Sequence, residues 1–230
     1  PTQSGVVFVE GFGSAIAADF AAFVARESRD EAVLLDGVED DKLASREQAG
    51  GESFRLVVFL PRCLDDPARL RLVSLLGDAG RRRVGFVGLV STFRVHLDDP
   101  EAEETERIAL DLVRSSGIEA RVAVFRPGLV LSPNSGVSRW LECLGPLFPL
   151  VPIRLRTCFI EGEEFFAAID SERLRDAGLP GTREIEPSGR AVDNRQRAYS
   201  YLGANLSWRE LLERHRGNST GRKVATVAAQ

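Results

Sequence analysis

The sequence predicts an α/β protein with a doubly wound parallel sheet. Short apolar runs alternate with longer segments of helical periodicity along most of the 230 residues. Strands and helices that alternate in this way form parallel sheets with right-handed crossovers. At 43% hydrophobic residues, the chain is long enough for one sizeable core and short for two. We therefore expect a single domain over residues 1–216.

Composition excludes several classes of protein. The net charge of -4 offers no basic excess for nucleic acid, and no stretch reaches the roughly 18 uninterrupted apolar residues of a membrane span. Three widely spaced cysteines, Cys63, Cys143 and Cys158, and only two histidines argue against a disulfide framework and against a zinc site. The N-terminus also lacks a basic segment followed by an apolar one, so we expect a cytoplasmic protein without a bound metal.

The first apolar run, residues 6–9, stops at a glycine turn and passes into an Ala-rich helical pattern. Strand, glycine turn and helix are the parts of a dinucleotide-binding unit. In that unit the amides at the helix N-terminus receive a pyrophosphate, and glycine lets the backbone approach it. The candidate cofactor-binding residues are therefore Gly11, Gly13 and Ser14.

The glycine fingerprint is incomplete, because its third small position falls on Ile16 or, with a slip of one residue, on Ala17. The alternative interpretation is a tight turn between strand and helix. Such a turn needs glycine only for its backbone geometry.

Asp36 follows the second apolar run, 25 positions after Gly11. An acidic residue at about that distance can accept hydrogen bonds from both hydroxyls of the adenosine ribose and repel a 2′-phosphate, which favours NAD over NADP. The alternative is an acidic turn residue at the start of an irregular or weakly helical connection over residues 37–53.

The remaining core elements follow in order: strands over 54–60, 84–90 and from Arg121, and helices over 67–82 and 101–116. The helix at 67–82 is predicted from the spacing of Leu70, Val73, Leu75 and Leu76. Ligands of open parallel sheets lie outside the carboxyl ends of the strands. We therefore expect one rim to collect Gly11, Asp36, Pro61, Thr92 and Pro127.

Beyond Pro133 the pattern changes. Residues 137–155 are apolar but carry prolines at a density that forbids one continuous helix. The end of the chain is predicted to hold an edge piece, a last helix and a frayed tail, over 199–203, 207–212 and 217–230.

The helix at 101–116, the Ser-Gly-Ile that follows it, the strand from Arg121, Arg126-Pro127-Gly128 and Ser132-Pro133 together resemble the late part of the short-chain dehydrogenase/reductase superfamily. The likeness is strongest to its extended, NAD-dependent epimerase/dehydratase-like branch. It implies a Rossmann-like fold with a substrate-side cap over about 133–212, in which residues 159–169 resemble a strand-turn-helix segment. It also implies an NAD or NADP cofactor and a small-molecule substrate, which the apolar cap suggests is apolar or bulky.

The same resemblance assigns two site residues. Pro127 takes the place of the proline against the nicotinamide face, and Thr92 that of the hydroxyl that orients the substrate carbonyl. The alternative interpretation is that Arg126 forms an ion pair with a carboxylate and that Pro127 and Gly128 only turn the chain.

The acid/base pair of that superfamily is missing. There, a tyrosine and a lysine four residues later share one helix face, and the cation lets a phenol with a pKa near 10 work near neutrality. Alignment through Glu106 and Arg107 places Asp98 at the tyrosine position and Ala102 at the lysine position. Between Ser91 and Arg114 there is neither a tyrosine nor a lysine.

Three interpretations follow. The chain is a pseudoenzyme that keeps the fold as a binding or regulatory module, with or without a nucleotide. Or it is an enzyme with a substituted acid/base residue, for which the nearby candidates are His96, Asp98, Asp99 and Glu101. His96 is the best of them, because its ordinary pKa near 6.5 allows proton exchange at neutral pH. Or it is a partner within a biosynthetic complex, with another subunit covering the apolar surface over 140–153.

Overall fold

The computed structural model describes residues 5–28, 30–35, 54–82, 84–136, 159–174 and 196–201. The strands are β1 (Val6–Glu10), β2 (Glu31–Leu35), β3 (Phe54–Phe59), β4 (Phe86–Val90), β5 (Arg121–Pro127), β6 (Leu129–Leu131), β7 (Phe159–Glu161) and β8 (Gln196–Tyr201). The α-helices are α1 (Ala15–Glu27), α2 (Asp66–Arg81), α3 (Pro100–Ser115) and α4 (Gly162–Leu174). A search of these residues finds no helix with the length and apolar character needed to cross a membrane.

The main sheet has six strands in the order β2-β1-β3-β4-β5-β8, and every neighbouring pair is parallel. The chain moves outward from β1 to β2 and then returns to the other side of β1 with β3. This reversal creates a topological switch point at the carboxyl ends of β1 and β3, where open sheets of this type bind ligands. The predicted α/β, Rossmann-like parallel sheet is confirmed.

Alternation along the strands divides the core into two layers. Val6 and Phe8 of β1 belong to the cluster packed with α2 and α3, whereas Val7 and Val9 belong to the cluster packed with α1 and α4. Successive side chains of a strand point to opposite faces, so helices cover both sides of the sheet.

The helix predicted over 67–82 is confirmed as α2, but only two of the four apolar residues that predicted it are buried. Leu70 is 72% exposed and Val73 is 49% exposed. Buried instead is a set spaced at i, i+3, i+4 and i+7: Leu72, Leu75, Leu76 and Ala79. The helix carries apolar residues on two adjacent faces, and contact with the sheet decides which face is buried.

The chain continues directly after the predicted end of the strand at Pro127. After Gly128 it forms β6, which pairs in parallel with β7 in a separate two-stranded sheet. β7 runs into α4 without the predicted turn. Much of the predicted cap, over 137–158, and the predicted last helix and tail lie outside the described residues.

An ionic cluster joins the amino-terminal edge of the sheet to α4. The Asp30 carboxylate accepts from the Gly5 amide at 2.7 Å and from Arg55 at 3.1 Å, and it pairs with Arg173. Arg173 has no exposed side-chain surface and also pairs with Asp170. Burial raises the pKa of Asp30, but hydrogen bonds from Arg173 and Gly5 and the nearby positive charges outweigh burial and hold it below its usual range. The cluster fixes the end of α4 at the edge opposite the carboxyl rim.

Candidate functional site

The carboxyl rim of the sheet brings the predicted site residues to one side of the molecule. Gly11 follows β1 directly, Pro61 lies two residues past β3, Thr92 lies two residues past β4, and Pro127 ends β5. Because all these strands are parallel, the four residues share one edge, as predicted. Asp36 lies outside the described residues.

The glycine turn reverses the chain within two residues. The Ser14 amide donates to the Gly11 carbonyl at 2.8 Å. Between them, Phe12 has φ 45° and Gly13 has φ 80°, both in the left-handed region. A Cβ placed on Gly13 would meet no atom of the described residues within 4 Å. The backbone at Gly13 therefore faces open space.

Gly11 has a different reason to be glycine. A Cβ at this position would lie 2.6 Å from the Cβ of Ala17 on α1. Gly11 thus lets α1 pack directly against the end of β1. Of the two positions considered for the third small residue of the fingerprint, Ala17 is the one that packs against the glycine turn.

The N-terminus of α1 opens beside this turn. Ser14 is its N-cap, with φ -74° and ψ 121°, but the serine side chain makes no capping hydrogen bond. Among the described residues, the amides of Gly13, Ala15 and Ile16 have no acceptor. Unpaired amides and the positive end of a helix dipole favour an anion.

A buried ion pair beneath the glycine turn was missed in the sequence. Glu10, at the end of β1, has no exposed side-chain surface. One carboxylate oxygen accepts from the Phe12 amide at 2.9 Å, and the other accepts from Nε of Arg71 on α2 at 2.8 Å. Glutamate at the end of a β-branched run, directly before a glycine, was a visible sign of a buried charge that needs a partner.

Thr92 presents a buried hydroxyl to the rim. Its Oγ1 is buried and has no hydrogen-bond partner within the described part of the chain. The preceding Ser91 is held in place by its amide, which donates to the Phe125 carbonyl of the neighbouring strand at 2.8 Å. Since buried hydroxyls nearly always have a partner, an unpaired one at a ligand-binding edge fits a hydroxyl that hydrogen-bonds to a ligand.

We expect Thr92→Val to raise the free energy of unfolding by about 1 kcal/mol, because an apolar group of the same shape removes a buried hydroxyl without a partner. Urea titration followed by circular dichroism measures the change. Ser116→Ala is the control, since the Ser116 hydroxyl donates to the Val113 carbonyl and its loss should be destabilising. A Thr92→Val protein as destabilised as the control would show that Oγ1 has a partner in the folded chain.

The alternative acid/base residues surround the start of α3. His96 lies in a short 3-10 helix, Phe93–Leu97, but its side chain lies outside the described part of the structure. Asp98 is exposed and left-handed, with φ 53°. Glu101 pairs with Arg94 at 3.2 Å.

Asp99 caps α3 and is the least suitable of these as a proton donor. Its side chain accepts from the amides of Glu101 at 3.0 Å and Ala102 at 3.4 Å, and it pairs with Arg94. Partial desolvation raises the pKa of Asp99, but these hydrogen bonds and the Arg94 charge outweigh it and leave the pKa below its ordinary value. Asp99 therefore stays ionised near neutrality.

Arg126 pairs with a carboxylate, as the alternative reading proposed. Its guanidinium donates to Glu106 on α3 through Nε at 3.0 Å and through Nη2 at 2.6 Å. Hydrogen bonding to Glu106 raises the pKa of Arg126, while burial lowers it by less. This two-point contact holds the end of β5, and hence Pro127, against α3.

The turn after β6 is fixed against α1. Asp19, buried on α1, accepts from the backbone amide of Asn134 at 3.2 Å and from its side-chain amide at 2.6 Å.

No group of three or more His, Cys, Asp or Glu residues that could hold a metal ion occurs among the described residues.

Solved structures with this fold include two in complex with NAD. The chain superposes on the Bordetella bronchiseptica enzyme WbmH in complex with NAD⁺ with a TM-score of 0.53 and 12% identity, covering 92% of this chain and 79% of that one. MoeE5, in complex with UDP-glucuronic acid and NAD, gives a TM-score of 0.50 and 15% identity over 94% and 83% of the two chains.

A third structure is the capsular polysaccharide assembling protein CapF from Staphylococcus aureus. It matches with a TM-score of 0.50 and 13% identity over 78% of this chain, and the chain spans about half of its length, 52%. No protein-family model and no curated protein matches the sequence. At these identities the matches show the fold alone, and they agree with the Rossmann-like α/β fold predicted from the sequence.

Proposed function

We propose that the protein binds an NAD(P)-type dinucleotide across the carboxyl rim of its sheet. The observation that carries the proposal is the glycine turn at the switch point, where the open backbone at Gly13 lies beside the unpaired amides of α1. The pyrophosphate would bind to the amides of Gly13, Ala15 and Ile16, with the Ser14 hydroxyl as a further donor.

The residues of the rim fit such a cofactor at both ends. Gly11 allows the close packing of α1 on β1 that aims the helix N-terminus at the rim, and Gly13 leaves room for the phosphates. At the other end, Pro127 would lie against the nicotinamide, and the buried Thr92 hydroxyl would donate to a substrate carbonyl. When bound, a nicotinamide cofactor supplies a hydride donor or acceptor.

Asp36 would select the cofactor. It follows β2, next to β1 in the sheet. A carboxylate there accepts hydrogen bonds from both ribose hydroxyls and repels a 2′-phosphate, so we propose NAD in preference to NADP.

Two functions are consistent with such a site. One is an oxidoreductase or epimerase with a non-standard acid/base, for which His96 and Thr92 are the proposed catalytic residues. The other is a catalytically silent binding or regulatory partner in a biosynthetic complex. Two observations favour the second: the tyrosine and lysine are absent, and Asp99 and Glu101 are held by Arg94.

Calorimetric titration with NAD⁺, NADH, NADP⁺ and NADPH tests the proposed binding. We expect saturable binding with a preference for NAD(H), and we expect Asp36→Ala to weaken NAD(H) by roughly tenfold and to reduce the preference, because about two hydrogen bonds to the ribose are lost. Asp111→Ala is the matched control, since Asp111 lies on the exposed face of α3. A folded protein that binds none of the four at millimolar concentration would refute the proposal.

A further inference from the structure

The buried ion pair between Glu10 and Arg71 lies under the glycine turn that the proposed function assigns to the pyrophosphate. Glu10 ends β1, and Arg71 reaches it from α2, the helix that follows β3. The pair therefore bridges β1 and the helix after β3, at the point where the strand order reverses. A fully buried carboxylate directly beneath an anion-binding turn is unfavourable unless its charge is cancelled.

Glu10 fixes the backbone of the turn. Its carboxylate accepts from the Phe12 amide at 2.9 Å, and Phe12 has φ 45°, a conformation that non-glycine residues seldom adopt. The hydrogen bond keeps this residue left-handed, so the next residue, Gly13, presents its backbone to open space. It also commits the Phe12 amide, which leaves the binding of phosphate to Gly13 and to the first residues of α1.

Arg71 cancels the charge of Glu10. Its Nε and Nη2 both lie 2.8 Å from the same carboxylate oxygen, and its side chain is mostly buried. In a poorly solvated site, opposite charges at hydrogen-bond distance attract strongly, and their fields largely cancel at a distance. An anion on the turn therefore meets a nearly neutral pair.

We propose that Glu10 and Arg71 are positioning residues for a diphosphate group: Glu10 holds the glycine turn in its binding conformation, and Arg71 neutralises the carboxylate that does so. This inference rests on the proposed dinucleotide binding and adds to it the two residues that make the glycine turn compatible with an anion. A structural role alone would tie α2 to β1 and have no specific effect on phosphate.

The test is to change the charge under the turn by one unit in each direction. Glu10→Gln keeps an oxygen that can accept from the Phe12 amide but removes a negative charge, whereas Arg71→Gln removes a positive charge. With ADP as the probe, we expect affinity to rise roughly tenfold in Glu10→Gln and to fall roughly tenfold in Arg71→Gln. Adenosine, which has no phosphate, should change less than about twofold in either variant.

Arg55→Gln is the matched control, because Arg55 is also a mostly buried arginine paired with a carboxylate, but at the amino-terminal edge. It should lower stability and leave ADP affinity unchanged. If either glutamine variant fails to fold, Arg71→Lys serves as the test in its place. This variant keeps the positive charge and should retain ADP affinity within about threefold. In that variant, an equal loss of ADP and adenosine binding would overturn the inference.

The two proposals fail in different ways. If the folded wild-type protein binds neither ADP nor any dinucleotide, the proposed function is wrong. If the wild type binds ADP, but Glu10→Gln and Arg71→Gln both weaken ADP and adenosine to the same extent, the dinucleotide site stands and the pair serves only the packing of α2.

Discussion

Arg173→Met is expected to lower the free energy of unfolding by roughly 3–5 kcal/mol, because it leaves buried carboxylate charge without its main partner. Arg173 is fully buried and pairs with Asp30 and Asp170, so methionine fills much of its volume but supplies neither charge nor donors. Urea unfolding followed by circular dichroism measures the change. A loss below about 1 kcal/mol would show that the cluster contributes no more than a surface ion pair.

Arg26→Met is the matched control. Arg26, on α1, pairs with Glu163 on α4, the helix that also carries Arg173. The Arg26 side chain is 38% exposed, so its loss should cost less than about 1 kcal/mol of folding free energy. The two proteins should also differ with pH. Because the pKa of Asp30 is lowered in the folded protein, the stability it contributes is present above its unfolded pKa, near 3.9, and is lost as pH falls through the folded value. The difference in free energy of unfolding between the wild type and Arg173→Met should therefore shrink below about pH 4.

Local patterns in the sequence were sufficient to predict the sheet. Two of the central strands, Val6–Glu10 and Phe86–Val90, are short, mainly apolar runs with every residue buried, and each precedes a helix along the chain. Where the pattern was ambiguous, it predicted the helix but not which of its faces is buried. In α2, apolar residues lie on two adjacent faces, and only packing against the sheet buries Leu72 rather than Leu70.

The location of the candidate site was predictable because it follows from topology. Once the strands are parallel, Gly11, Thr92 and Pro127 must lie at one edge. The contacts that shape the site were not predictable. Glu10 and Arg71 are 61 positions apart, and Asp19 and Asn134 are 115 apart, so neither pair leaves a periodic pattern in the sequence.

The absence of the tyrosine and lysine acquires a clearer meaning in the structure. The carboxylate of Asp99, one residue after the position aligned with the tyrosine, caps α3 and is held by Arg94. The alignment through Glu106 and Arg107 predicts the acid/base pair at the start of this helix, which is instead stabilised by charge. Dinucleotide binding and catalysis are therefore separable hypotheses for this chain, and the glycine turn bears only on the first.

Gly11→Ala and Gly13→Ala are expected to impair the protein for different reasons: the first mainly lowers stability, and the second mainly lowers dinucleotide affinity. At Gly11 the new Cβ would lie 2.6 Å from the Cβ of Ala17, so α1 must shift off β1, which costs roughly 2 kcal/mol of folding free energy. At Gly13 the Cβ meets nothing, and only the left-handed φ of 80° costs stability, about 1 kcal/mol. Dinucleotide affinity should nevertheless fall at least tenfold, because that Cβ occupies the space through which the phosphates approach.

A double-mutant cycle separates packing from ligand binding at Gly11. Ala17→Gly removes the other half of the clash at a helix-propensity cost of about 1 kcal/mol, so Gly11→Ala combined with Ala17→Gly should be more stable than the sum of the single effects by roughly 1–2 kcal/mol. The double variant should regain dinucleotide affinity, whereas Gly13→Ala has no such partner and should not be rescued by Ala17→Gly. Strict additivity at Gly11 would mean that the close approach of α1 to β1 is not what requires glycine there. Rescue of stability without rescue of binding would mean that Gly11, like Gly13, borders the phosphates.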